Sequence, residues 1–108
     1  MTTTFDKREQ AFEKKFAQDE ELRFKANARR NRLIGAWAAN KLGLKGNEAE
    51  AYAKSLVLVD LDSPGSSSVL ARISADFDAN GIGQFNDEIT AMMDAFMKQA
   101  LAELEAGK

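Results

Sequence analysis

The chain has 108 residues and contains neither cysteine nor histidine. Without cysteine there is no disulfide and no thiolate ligand or nucleophile. Without histidine the commonest metal ligand and the commonest acid/base catalyst are both missing. Zinc hydrolases, serine and cysteine triads and histidine phosphorelays are excluded. Long apolar runs are also lacking: none approaches the roughly 20 residues of a membrane helix, and Met1-Thr2-Thr3-Thr4-Phe5-Asp6 offers no signal-peptide core. The expectation is a cytoplasmic protein with no direct membrane insertion.

An excess of charge of one sign is missing as well. Lys and Arg total 15 against 17 Asp and Glu, net -2, so no basic field marks a nucleic-acid binder. The distribution is uneven: residues 1–32 carry 9 basic and 6 acidic groups, net +3, and the remainder carries 6 and 11, net -5. Apolar residues at 44% and charged residues at 30% are ordinary for a folded domain. The length suits one domain with a modest core, and a monomer is the simplest state.

Glycine and proline are few, and they divide the chain into helices. Gly43 and Gly46 close a first segment, and Asn47 with Glu50 approximates a capping box for a second. Ser63-Pro64-Gly65 breaks the chain before Ser66-Ser67-Ser68, which can cap the next helix. Asn80-Gly81 reads as a left-handed C-cap, Asn86-Asp87-Glu88 as a helix start, and Gly107 as the last end. Between these marks the spacing is helical: Tyr52, Leu56, Val59; then Leu70, Ile73, Phe77; then Ile89, Met93, Phe96, Ala100, Leu104. Leu56-Val57-Leu58-Val59 alone reads like a strand, but it continues a helical pattern, and its breadth implies burial on several sides. The expected fold is all-α, a small four-helix bundle.

The first segment carries two stripes. At about 100° per residue Phe5, Phe12 and Phe16 fall within about 40°, whereas Leu22, Ala26, Leu33, Trp37 and Leu44 centre roughly 80° away. Asp19, Arg23 and Arg30 stand where the first stripe would continue. One straight helix cannot bury both stripes against one bundle, so a break near Asp19-Glu20-Glu21 separates a mobile extension, residues 1–18, from a bundle of residues 19–108. A narrow aromatic line on a charged segment suits a helix that buries it in a partner's groove. The competing reading is an end that folds back or frays.

Three further patterns bear on chemistry. Asp76-Phe77-Asp78-Ala79-Asn80-Gly81 approaches an EF-hand loop, with oxygens at positions 1, 3 and 5 and glycine at 6, but position 12 is Asp87 rather than glutamate and position 8 is Gly83. Asp76, Asp78, Asn80 and Asp87 are thus the weak metal candidates, and helix caps explain the same residues. Arg29-Arg30-Asn31-Arg32 with Lys25 beside Trp37 could hold phosphates with an indole for stacking, could dock an acidic partner, or could be a solvated helix face. Met92, Met93 and Met97 read as core, or as an adaptable surface.

Phe24-Lys25-Ala26-Asn27-Ala28-Arg29-Arg30-Asn31-Arg32-Leu33-Ile34-Gly35-Ala36-Trp37-Ala38-Ala39 resembles the ζ (zeta) subunit family of alphaproteobacterial F-type ATP synthases. The likeness extends through Phe5-Asp6-Lys7-Arg8-Glu9, Lys15-Phe16-Ala17 and Glu21-Leu22, and on through Leu42-Gly43, Ala51-Tyr52-Ala53-Lys54 and Ala75-Asp76-Phe77-Asp78. The resemblance implies a four-helix bundle whose N-terminal segment enters the catalytic sector as a helix, at an α/β interface near the γ rotor, and blocks ATP hydrolysis. It makes the chain a regulator rather than an enzyme, peripherally associated with the membrane-bound synthase. Carried over, Phe5, Phe12 and Phe16 are the anchors, and Lys7, Arg8, Lys14 and Lys15 meet charged partner surface. It also implies weak adenine-nucleotide (ATP or ADP) binding with no required cofactor, and Lys25, Arg29, Arg30 and Trp37 are the candidates. A nucleotide-binding, energy-sensing module without strong inhibition is the alternative. Ser63–Ser68 and Gly83–Asp87 match no family motif.

Overall fold

The structure, a computed structural model, describes residues 19–83 and 86–107. They form four α-helices and no strand: α1 Glu20–Lys41, α2 Gly46–Asp62, α3 Ser66–Ala79 and α4 Asn86–Ala106. α1 packs on α2 and α4, and α3 packs on α2 and α4 on the other side, which makes a four-helix bundle.

Each element starts or stops for a local reason. Asp19 is extended and accepts a hydrogen bond on its side chain from the Leu22 N–H at 3.1 Å, which N-caps α1 where the sequence expects the break. Two helices end in Schellman motifs on a glycine of positive φ. After α1, the N–H of Gly43 (φ 79°) donates to the Asn40 carbonyl and Leu44 N–H to Ala39. After α3, the N–H of Gly81 (φ 70°) donates to Asp78 and Ile82 N–H to Phe77, with Ile82 packed on the core.

The expected N-caps of α2 and α3 are not the observed ones, whereas α4 starts at Asn86 as expected. α2 starts at Gly46 after Lys45, with no side-chain cap, and Asn47 and Glu50 lie exposed within it. α3 is preceded by Gly65, also without a side-chain cap, and the turn is held instead by Asp60 Oδ1, which accepts from the Gly65 N–H at 3.2 Å. Asn86 is the first residue of α4, and its Oδ1 accepts from the Ser74 hydroxyl at 2.8 Å, tying α4 to α3.

The core is Ile34 and Ala38 of α1, Leu56 of α2, Val69, Ile73 and Phe77 of α3, and Ile89 and Met93 of α4. Two sequence expectations need correction. Burial of α1 centres on Ala26, Ile34, Gly35, Ala38 and Ala39, with Leu22, Leu33, Trp37 and Leu44 only part-buried. Small residues face the close contacts and the bulky ones sit at the edges, so weighting by bulk points to the wrong sector. Leu56 is fully buried but Leu58 is exposed. α2 has close neighbours on two sides, so four consecutive apolar residues cannot all turn inward.

Candidate functional site

Residues 1–18, with the anchors Phe5, Phe12 and Phe16 and the cations Lys7, Arg8, Lys14 and Lys15, lie outside the described residues. What the structure defines is the point at which they join the bundle. Asp19 terminates α1 with its own side chain, and Glu20 and Glu21 in the first turn complement the helix dipole. Among the described residues, all four helices contribute to the core.

The basic cluster is dispersed. Lys25 is exposed and pairs with Glu21 at 3.3 Å, one turn back on the same helix. Arg29 crosses to α4, its Nη1 donating to Glu103 Oε1 at 3.3 Å, and Gln99 holds the other oxygen of that carboxylate at 3.0 Å. Arg30 points inward: it is 7% exposed, and its Nε donates to Oδ1 of the fully buried Asn31 at 3.0 Å. Burial lowers the Arg30 pKa, opposed by the carboxylates of Asp60 and Asp94. Trp37 lies against Phe77, ring centroids 5.8 Å apart and planes at 54°, with the Lys41 ammonium 5.9 Å from its centroid. The structure thus brings Trp37 to Phe77 and Lys41. Arg29 ties α1 to α4, and Arg30 bonds its neighbour Asn31 within α1.

Two clefts open beside α1. One of about 400 Å³ runs between the end of α1 and the start of α2, walled by Ala36, Leu44, Ala49 and Ala53 with Asn40 and Lys45 at its edge. The other, of about 40 Å³, lies between the start of α1 and the end of α2. Neither is lined by Lys25, Arg29, Arg30 or Trp37.

The EF-hand-like residues are engaged in the fold. Asp76 Oδ2 accepts from the Tyr52 hydroxyl at 2.8 Å and from Arg72 Nε at 3.0 Å, and Asn80 Nδ2 donates back to the Asp76 carbonyl at 2.8 Å. Asp78 and Asp87 are exposed, and among the described residues no three Asp or Glu side chains gather where they could hold a metal ion. Burial, and then the hydrogen bond to Asp76, raise the Tyr52 pKa. The Asn80-Gly81 pair performs the cap function that the sequence also allowed.

The family model for ATPase inhibitor subunit zeta matches residues 1–103. The chain belongs to that family. The match spans both the N-terminal segment and the bundle, so the ζ resemblance covers nearly the whole chain. Comparison with curated proteins gives no significant match. Membership assigns this ζ-family protein an inhibitory, regulatory role toward an ATPase, and makes the ATP synthase its associate. No described helix is long and apolar enough to cross a membrane.

Sequence reasoning missed one feature: exposed apolar side chains, with Phe24 and Leu61 lining the smaller cleft and Leu58 one helical turn before Leu61. For Leu58 the signal was present, since an apolar run of four on a helix with two neighbours must leave one residue outside. For Phe24 periodicity gave none.

Proposed function

We propose that this ζ-family chain inhibits ATP hydrolysis by the F-type catalytic sector through residues 1–18. The segment enters an α/β catalytic interface near γ as a helix, Phe5, Phe12 and Phe16 seat in apolar pockets, and Lys7, Arg8, Lys14 and Lys15 meet charged surface around them. Aromatic anchors in desolvated pockets dominate interfaces of this kind. A helix wedged where a catalytic interface must open and close binds one conformation better than the others and halts the cycle by holding it. No catalytic group of its own is required, and the chain acts as a regulator at the peripheral part of the membrane-bound synthase.

The observation that carries this reading is the start of α1 at Asp19. The Asp19 side chain caps the helix there, at the point where the stripe of Phe5, Phe12 and Phe16 falls out of register with the apolar face that follows. The nucleotide-binding alternative has no comparable support, because Arg29 and Arg30 are committed to Glu103 and Asn31.

Removal of residues 2–18 tests the assignment. The shortened chain should keep its helical circular dichroism and melting temperature and lose inhibition of a purified catalytic sector. Retained inhibition would move the active element into the bundle.

A further inference from the structure

Among the described residues the exposed large apolar side chains are Phe24 (56%), Leu58 (61%) and Leu61 (50%). They are not scattered. Phe24 and Leu61 line one cleft between the start of α1 and the end of α2, with Ala28, Val57 and Asp60 in its wall, and Leu58 precedes Leu61 by one helical turn. Single exposed apolar residues are ordinary, whereas a contiguous group marks an interaction surface. The cleft, about 40 Å³, is far below the roughly 300 Å³ of a small-molecule site, but it can take the tip of a side chain offered by another protein.

Position and charge identify that protein. Phe24 lies five residues after Asp19, about 7.5 Å along the helix from where residues 1–18 join. A partner that holds those residues is therefore within reach of the patch. Asp60 lines the cleft, and the start of α1 and end of α2 that flank it carry Glu20, Glu21, Asp60 and Asp62 against Arg23 and Lys25, acidic on balance. A second copy of this chain fits poorly, since a stable interface takes about 20 to 30 residues a side and this patch offers three large side chains and a small cleft. It suits an auxiliary contact that reinforces a stronger one.

We infer that the Phe24–Leu58–Leu61 patch is a second docking surface for the ATPase catalytic sector, engaged by apolar side chains of the partner flanked by lysine or arginine. The inference rests on the reading of residues 1–18 as the inhibitory element. With the segment bound, the patch closes as an intramolecular contact at high effective concentration, so it slows release without itself blocking the catalytic cycle.

The test is a titration of ATP hydrolysis by a purified catalytic sector with the full-length chain and its F24S/L61S variant. The variant should need about tenfold more protein for half-inhibition and still reach full inhibition, as loss of one of two linked contacts requires. If F24S/L61S melts more than a few degrees lower than the parent, L58S, at the most exposed of the three positions, replaces it. Equal potency of parent and variant would overturn the patch and leave the role of residues 1–18 standing. A parent chain that does not inhibit would remove the reading on which the patch depends. Two measurements on the free chain address other occupants. Methyl shifts of Leu58 and Leu61 should be the same in the full chain and in F5A/F12A/F16A, and a difference would assign the patch to the chain's own segment and overturn the inference. Sedimentation should show a monomer, and self-association abolished by F24S/L61S would assign the patch to a second copy and likewise overturn it.

Discussion

Gly35 lies in the interior of α1, where glycine costs about 0.8–1.0 kcal/mol relative to alanine. Helix propensity alone therefore makes Gly35→Ala stabilising. Packing predicts the opposite. A Cβ built on Gly35 comes within 2.6 Å of Ala53 Cα, 2.9 Å of Ala53 Cβ and 3.4 Å of Leu56 Cδ1 on α2. Carbon atoms pack at about 3.5–4.0 Å, so the overlap with Ala53 Cα is close to 1 Å, and that backbone atom cannot rotate aside. α1 and α2 must separate locally, at the overpacking cost of about 1–3 kcal/mol, here toward the upper end. After subtracting the propensity gain, the net destabilisation is about 1–2 kcal/mol. At about 4–8 °C per kcal/mol for a domain of this size, the melting temperature should fall by about 5–15 °C. Thermal and urea melts followed by circular dichroism measure this, with an unchanged urea slope showing that the fold is retained. Gly83→Ala is the control, because nothing lies within 4 Å of its Cβ; it should be neutral or slightly stabilising. A Gly35→Ala chain as stable as its parent would refute the close approach of α1 and α2.

Three other substitutions test the interior. Arg30→Ala removes the donor to buried Asn31 Oδ1 and the charge facing Asp60 and Asp94, and should cost about 2–3 kcal/mol in urea denaturation, with Arg30→Met recovering part through its apolar stem. Trp37→Ala loses the contact with Phe77 and should cost about 2–4 kcal/mol, less than a fully buried ring, read from the same melts. Tyr52→Phe loses the hydrogen bond to Asp76 and about 1 kcal/mol near neutral pH. Because the folded Tyr52 pKa lies above its ordinary value of 10.0, its contribution is complete below about pH 10 and is lost as pH rises from there toward the folded value. The stability gap between parent and Tyr52→Phe should therefore narrow in strongly alkaline melts.

Much of the architecture was legible because local rules and tertiary packing agree. The apolar spacing through Leu70, Ile73 and Phe77 and through Ile89 and Met93 names residues that fill the core, and Gly43 and Gly81 end their helices because only a left-handed residue lets the following N–H reach back. Asp19 was legible too, since its carboxylate stands where the two apolar stripes fall out of register. The N-caps of α2 and α3 were not: Lys45 precedes α2 without a side-chain cap, and Gly65 precedes α3 with its N–H held by Asp60 of the preceding helix, in place of the polar residues that propensity favours. The α1 interface was obscured for another reason: Gly35, Ala38 and Ala39 contribute little hydrophobicity, yet their small size lets the helices meet. Arg30 illustrates the limit of reading charge from a string. Its basic neighbours suggest an exposed patch, while the fold turns it toward Asn31, and leaves Lys25 and Arg29 to pair with Glu21 and Glu103. The family match accounts for inhibition as a role, and the Phe5, Phe12, Phe16 stripe is the part of the sequence that suggests how it is exerted.

The central claim is that those three rings, and not the bundle core, make this chain an inhibitor. The most direct measurement is ATP hydrolysis by a purified F-type catalytic sector titrated with the full-length chain and with F5A/F12A/F16A, alongside thermal melts of both proteins. The account predicts that the full-length chain inhibits and that the triple variant does not, with melting temperatures within a few degrees of each other. A triple variant that inhibits as well as its parent, or one that loses inhibition only because the bundle has unfolded, would contradict it.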